Sequence, residues 1–193
     1  PILQSIVIRP MDLNSHVDGS MGYRIYSLHF DSNEQAYNLE KAPVVEGRIG
    51  IEVSGYDQLI EKGNRFSIYK LELFLDTLLI FSSHYDTVDF ENSWKVELDR
   101  DFELRQKKQG EFYKLYIEKG NDLPLYYSLH KGIFELTEEK THQLIIVAQD
   151  VSGNISKAKI LIQVSKKPTL SEVSLNRSES VYVVKGKVEK NGQ

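Results

Sequence analysis

Three groups of residues in this chain are of the right type to do chemistry. Asp99, Asp101 and Glu103 stand at alternate positions. On an extended strand they would turn three carboxylates to one face, a hard-oxygen set that suits a cation. Arg100 and Arg105 stand close by and can neutralise them, so a self-compensated, solvated strand face is the simpler expectation. The second group is Asp150-Val-Ser-Gly-Asn154. Gly153 and Asn154 tolerate positive φ, and the Asp150 carboxylate can accept from the N–H groups of a tight turn. Calcium would use the same oxygens but needs further acids nearby, and none follows.

The third group is the five histidines, His16, His29, His84, His130 and His142. A zinc hydrolase holds its metal with at least two neutral imidazoles, usually with a carboxylate, and leaves one position open. No two of these histidines lie within five residues of each other, so no local HxH or HExxH exists. His84-Tyr85-Asp86 could offer a histidine and an acid from one strand; exposed or strand-end histidines are the plainer expectation. There is no GxSxG and no glycine-rich phosphate cradle after a strand. Trp94, Tyr113, Tyr116, Tyr126 and Tyr127 could form an aromatic platform for a sugar chain. Tyr113 and Tyr116 must face opposite sides of one strand, so Trp94, Tyr126 and Tyr127 are the candidate glycan contacts.

These groups need a scaffold, and composition indicates its kind. The chain has 193 residues, 40% of them hydrophobic and 27% charged, which are globular values. Its aromatics lean to tyrosine, with 11 Tyr, 8 Phe and 1 Trp, which suits pleated surfaces. Net charge is −4, so no basic footprint for nucleic acid exists. The charge is uneven. Residues 166–193 carry six Lys/Arg against three Asp/Glu, a net of +3, which leaves −7 for residues 1–165. The absence of cysteine removes disulfides, thiolate nucleophiles and Cys-based zinc sites together. The longest apolar run, Leu78-Leu79-Ile80-Phe81, is strand-sized, and no membrane span is expected.

The elements read as short strands separated by turns. Ser5–Arg9 is β-branched and closed by Pro10. Tyr23–Phe30 alternates. Ile49, Ile51 and Val53 alternate with Gly50, Glu52 and Ser54, the period of a half-buried strand, which Gly55-Tyr56-Asp57 is expected to break. After a loop holding Gly63-Asn64, Tyr69, Leu71, Leu73 and Leu75 share a face, and Asp76-Thr77 turns the chain into Leu78–Ser82. Phe112–Glu118 reads as a strand, as do Tyr126–Leu129 and Ile133–Leu136 around a Lys131-Gly132 turn. His142–Gln149 is nearly all apolar, as at a sheet centre. The Asp150–Asn154 turn joins it to Lys157–Val164, whose Ala158, Ile160, Ile162 and Val164 should face inward. The structural turns thus predicted involve Gly55, Asp57, Asn64, Asp150, Gly153 and Asn154. Lys166-Lys167-Pro168 reads as a linker, and Val173–Leu175 and Val181–Val188 as the start of a second β element.

In order, the motifs resemble a known arrangement. They run Ile6-Val7-Ile8-Arg9-Pro10, Val45-Glu46-Gly47-Arg48-Ile49-Gly50, Gly55-Tyr56-Asp57, Asn64, Ile68-Tyr69-Lys70-Leu71-Glu72-Leu73-Phe74, then Ala148-Gln149-Asp150 with Gly153-Asn154. The set looks like the β-rich region that follows the catalytic domain in some Bacteroidetes-type zinc murein endopeptidases of the lysostaphin, or LytM-like, family. It covers roughly residues 1–165. The resemblance implies a secreted, periplasmic or envelope-located bacterial enzyme that cuts peptidoglycan cross-links. The family's zinc sits on an HxxxD and a later HxH motif, and neither occurs here: His16 is followed four residues on by Ser20, and His84 by Val88. No catalytic or metal residue carries over, and zinc is expected only in a catalytic domain preceding Pro1.

The expected fold is therefore an all-β, immunoglobulin-like sandwich over residues 1–165 with a long insertion at about 83–130, followed by a linker and an incomplete β element at 166–193. The expected function is a non-catalytic accessory module that positions or restrains the peptidase, with no cofactor of its own. Its partners would be its own peptidase domain, other envelope proteins or peptidoglycan; the alternative is a glycan-binding module using exposed aromatics. Truncation after Val164 should leave a cooperatively folding domain. A thermal melt far below that of the full chain would instead assign Val181–Val188 to the main sheet.

Overall fold

The computed structural model describes residues 1–58, 63–87, 90–165, 169–178 and 181–189. The Lys166-Lys167-Pro168 linker falls outside them. The strands are β1 (Ile2–Pro10), β2 (His16–Val17), β3 (Arg24–Ser27), β4 (His29–Asp31), β5 (Ala36–Asn38), β6 (Val44–Gln58), β7 (Arg65–Phe66), β8 (Lys70–Leu75), β9 (Leu78–His84), β10 (Tyr113–Lys114), β11 (Tyr126–Ser128), β12 (Phe134–Leu136), β13 (Thr141–Gln149), β14 (Ile155–Val164), β15 (Thr169–Ser178) and β16 (Val181–Glu189). One short helix, α1 (Phe102–Gln106), and 3₁₀ segments at Phe90–Asp99 and His130–Gly132 complete the described elements. The protein is all-β, as its short alternating segments predict.

The main sheet runs β11-β9-β8-β13-β14-β6-β1-β3 and curls like a half-barrel. Its curl depends on β6, which is fifteen residues long. The first residues of β6 pair with β2 and lie parallel to the end of β14, at Val44↔Gln163 and Val45↔Val164. Its middle pairs with β1 from Ile49↔Pro10 to Ser54↔Ser5, and its end with β7. Gly47 sits at the corner with φ 77°, and a Cβ there would stand 2.6 Å from Ser15 Oγ. That hydroxyl accepts from Arg48 N–H at 2.8 Å and donates to Asp12 at 2.7 Å, fixing the corner from the side. Glycine is needed here for both its backbone freedom and its lack of bulk.

The predicted hairpin is present. β13 and β14 pair in continuous register from Thr141↔Gln163 to Gln149↔Ile155. Ala158, Ile160, Ile162 and Val164 are buried, as their spacing requires, and join Leu144, Ile146, Leu71, Leu73 and Phe81 in the main core. At the turn, Asp150 Oδ1 accepts from Ser152 and Asn154 N–H at 2.9 and 2.8 Å, and Oδ2 accepts from the Asn154 amide at 2.7 Å. The Asn154 side chain and these N–H groups hold the Asp150 carboxyl below the usual range. Gly153 has φ 89°.

Two readings need correction. Gly55 and Asp57 do not form a turn; β6 continues through both to Gln58, with Asp57 opposite Phe66. The glycine serves packing instead. A Cβ on Gly55 would meet the Ile2 carbonyl at 2.7 Å, beside a register shift in β1 between Leu3 and Ser5. Asn64 does lie in a connection, ahead of β7. Residues 53–71 and 147–160 both read strand, Asp, Gly-Asn, strand, which suggests two equivalent hairpins; the likeness fails, because β13 and β14 pair directly whereas β6 and β8 do not. Beyond the main sheet, β15 and β16 form a separate two-stranded antiparallel sheet.

Gly153→Val should destabilise the protein by roughly 1–3 kcal/mol, because a β-branched residue resists positive φ. Gly47→Ala adds a steric clash to the same strain and should cost more, which urea unfolding of the two variants would rank.

Candidate functional site

The inward residues of β6, Ile49, Ile51 and Val53, lie in the main core. Their neighbours Gly50, Glu52 and Ser54 should face solvent by alternation, but they too are buried. The insertion covers them. β10 pairs with β6 at Tyr113↔Val53 and Lys114↔Glu52. Gly50 makes the cover possible, since a Cβ there would lie 2.8 Å from the Tyr116 ring. Glu52 is consequently 0% exposed.

A carboxyl in such a place needs donors. Arg9, opposite Gly50 on β1, donates from Nε to Glu52 Oε1 at 2.7 Å. The Tyr116 hydroxyl donates to the same oxygen at 2.8 Å. Arg9 also donates from Nη2 to Asp101 Oδ2, reaches Glu103 at 3.6 Å and lies 4.7 Å from the centre of the Tyr23 ring. Glu52 Oε2 is buried and faces no donor among the described residues. Burial pushes the Glu52 carboxyl up, Arg9 offsets part of this, and the Asp101 charge adds to the rise; the group sits at about 7 against an ordinary 4.5. Burial and the nearby Glu52 likewise push the Tyr116 phenol upward.

Asp101 connects this cluster to the helix. It is the N-cap of α1, and its Oδ1 accepts from Leu104 N–H at 2.8 Å. Burial raises its carboxyl, but the Leu104 N–H and Arg9 outweigh that and the net direction is downward. Its own N–H donates to the Phe112 carbonyl at 3.0 Å, so residues 102–111 form an excursion closed at its base. Leu104 packs with Val7 and Phe112 in a small second core, flanked by Tyr23.

A second acid cluster stands next to the first. Asp99 is buried, and its Oδ2 accepts from Tyr85 OH and, at 2.7 Å, from Arg100. Its Oδ1 accepts from Tyr126 OH at 3.0 Å, and that hydroxyl accepts from Asn121 at 2.9 Å. The Arg100 guanidinium lies 3.6 Å from the centre of the Tyr113 ring. Burial raises the Asp99 carboxyl despite Arg100. A cleft of about 440 Å³ opens beside both clusters, lined in part by Arg9, Arg100, Asp101, Lys114, Tyr116 and Glu118.

The predicted acid trio is thus resolved differently. Asp99, Asp101 and Glu103 do not share a strand face. They fall at the end of a 3₁₀ segment, at a helix cap and in the first turn of α1. No three His, Cys, Asp or Glu side chains among the described residues are grouped to hold a metal ion. Four histidines instead stand beside single acids: His16 with Glu46, His29 with Glu40, His84 with Asp86 and His142 with Asp76. The five aromatics do not form one platform. Tyr113 and Tyr116 are buried, and Tyr126 turns its hydroxyl inward to Asp99, while Trp94 is 62% and Tyr127 54% exposed.

Sequence reasoning missed Arg9, Glu52 and Tyr116. Their only trace is a glycine two residues before an acid on one strand face, Gly50 and Glu52. Chemically, Glu52 combines a near-neutral carboxyl with a tyrosine and an arginine, the ingredients of a general base. Its donors occupy Oε1, and full burial keeps a substrate from it, so in this conformation the cluster fastens elements together. Among the described residues no helix is long and apolar enough to cross a membrane. No family model, curated protein or solved structure matches this chain.

Arg9→Met would leave two buried carboxyls without their cation and should destabilise by roughly 3–5 kcal/mol in urea unfolding. The raised Glu52 carboxyl also sets a pH dependence. Its contribution is fully present below about pH 4.5 and is lost as pH rises through about 7. Unfolding free energy should therefore decline across that window in the native protein and lose this decline in Glu52→Gln.

Proposed function

We propose that this chain is an immunoglobulin-like, non-catalytic accessory module of a secreted, periplasmic or envelope zinc murein endopeptidase. It positions or restrains a peptidase domain in the same protein, and the zinc belongs to that domain. The observation that carries this reading is the way the insertion is built. Asp99, Arg100 and Asp101 turn their charges inward and fasten the insertion to the sheet, while Trp94, Phe102 and Tyr127 remain exposed on it. A stapled surface with outward aromatics suits contact with another body, because aromatic side chains dominate the energetic centres of interfaces. The ordered motifs from Ile6 to Asn154 supply the link to murein endopeptidases.

A second reading is supported by Trp94 and Tyr127 specifically. Exposed, flat rings can stack on sugar faces, so a glycan- or peptidoglycan-binding module would use these two, without Tyr126.

The test is to assay the isolated chain for zinc and for release of muropeptides from purified sacculi, then to add a LytM-like peptidase domain in trans. The accessory reading expects no stoichiometric zinc, no hydrolysis by the chain alone and a changed rate for the added domain. About one zinc per chain together with hydrolysis would overturn it. Sedimentation with sacculi that is lost in Trp94→Ala and Tyr127→Ala would favour the glycan-binding reading.

A further inference from the structure

Glu52 is fully buried, where a carboxyl is costly to keep. Two features set it apart from an ordinary buried ion pair. The first is arithmetic. One guanidinium, that of Arg9, serves Glu52, Asp101 and, at 3.6 Å, Glu103. The second is the oxygen Glu52 Oε2, which is buried and faces no donor among the described residues. An ionised carboxylate would leave that oxygen unsatisfied, at a large desolvation cost. A protonated one resolves both difficulties, since it removes one negative charge and turns the orphaned acceptor into a donor. The neighbouring acceptor is Asp101, which lies within hydrogen-bonding reach of Glu52.

We propose that Glu52 and Asp101 share a proton and form a pH-sensitive latch, which holds the 102–111 excursion against β1 and β6 when protonated and loosens it when the proton leaves. Asp101 is the lever, because it both faces Glu52 and caps α1 through Leu104 N–H at 2.8 Å. Proton loss places two full negative charges around one arginine, with Glu52 itself out of reach of water. Like charges so placed repel strongly, and the Asp101 end can yield because the excursion is tied to the remainder of the fold by few other bonds. Among the described residues these are the Asp101–Phe112 backbone bond, the Leu104 contact with Val7 and Phe112, the bonds of the Tyr23 hydroxyl with Gln109 and Lys107 at 3.2 Å, and surface pairs such as Arg105–Glu97.

The other groups around the pair do not cancel this effect. From β1 comes Arg9, already shared. After β10 comes Tyr116, which donates to Oε1 and is itself pushed away from ionising. On β10, Lys114 stands opposite Glu52 in register, but its ammonium is bonded to Glu118 and to the Leu98 carbonyl at 3.4 Å. From α1 comes Glu103, whose main partner is Lys107 at 2.6 Å. The carboxyl of Glu52, at about 7, places the transition near neutral pH. Opening would widen the cleft beside Arg9, Asp101 and Tyr116.

The experiment is amide hydrogen exchange of the full chain, corrected for intrinsic rates, from pH 5.5 to 8.5. Leu104 and the amides of 105–109 should lose protection by roughly tenfold or more across that range, while β13 and β14 change far less. Glu52→Gln keeps the shape and supplies a permanent donor, so its protection should stay flat with pH. A wild-type profile that is equally flat, or a Glu52→Gln profile that still falls, would overturn the latch. Should that variant fail to fold, the wild type decides alone through the NMR titration of its glutamate Cδ resonances. One glutamate must titrate near pH 7 and move together with the Leu104 amide. If all titrate in the ordinary carboxylate range, the proposal fails.

Discussion

β6 is covered on both faces, and it carries a glutamate. Ile49, Ile51 and Val53 occupy the main core, and the opposite face at Gly50, Glu52 and Ser54 is sealed by the insertion. A charge there has no water, so the fold must bring a cation and donors to it. Arg9 comes from β1 and Tyr116 from the chain after β10, and Arg9 in turn holds Asp101 at the cap of α1. Three segments far apart in sequence are positioned by one carboxyl. The close fit of Tyr116 over Gly50 and the N-cap of α1 are consequences of this requirement as much as of local preference.

The sheet was legible where one face is wet. On β14, Lys157, Lys159 and Gln163 alternate with buried Ala158, Ile160, Ile162 and Val164, and the period alone identified the strand and its inward side. The Asp150–Asn154 turn was equally legible, since its hydrogen bonds are local and depend on residue type. On β6 the same alternation gave the strand but misjudged its second face, because period two reports polarity and not what covers it. Gly55 and Asp57 were misread for a related reason. A glycine that admits a neighbouring carbonyl and a glycine that turns the chain look identical in sequence; only the partner strand distinguishes them.

The acid trio shows the limit most clearly. Asp99, Asp101 and Glu103 alternate as on a strand, yet a helix cap between them sends each carboxyl to a different partner: Tyr85, Tyr126 and Arg100 for Asp99, Arg9 and Leu104 N–H for Asp101, and Lys107 for Glu103. α1 is five residues long, too short for an apolar period to announce it. What the sequence could supply was the inventory of charges. Which of them pair depends on long-range contacts, and these decide that the cluster fastens the insertion.

The corner at Gly47 has a kinetic meaning. β6 belongs to both arms of the curled sheet, so neither arm can be completed before the other has supplied its share of partners. Those partners lie as far away as Ile2 and Val164, and loops of this length must close before their contacts stabilise anything. Folding should accordingly be slow for the size of the chain, as in other folds dominated by non-local strand pairing. During synthesis β6 would emerge early and wait for β14, with the apolar face of Ile49, Ile51 and Val53 uncovered. The glutamate and glycines along that strand then have a further effect, since they interrupt what would otherwise be a continuous sticky segment.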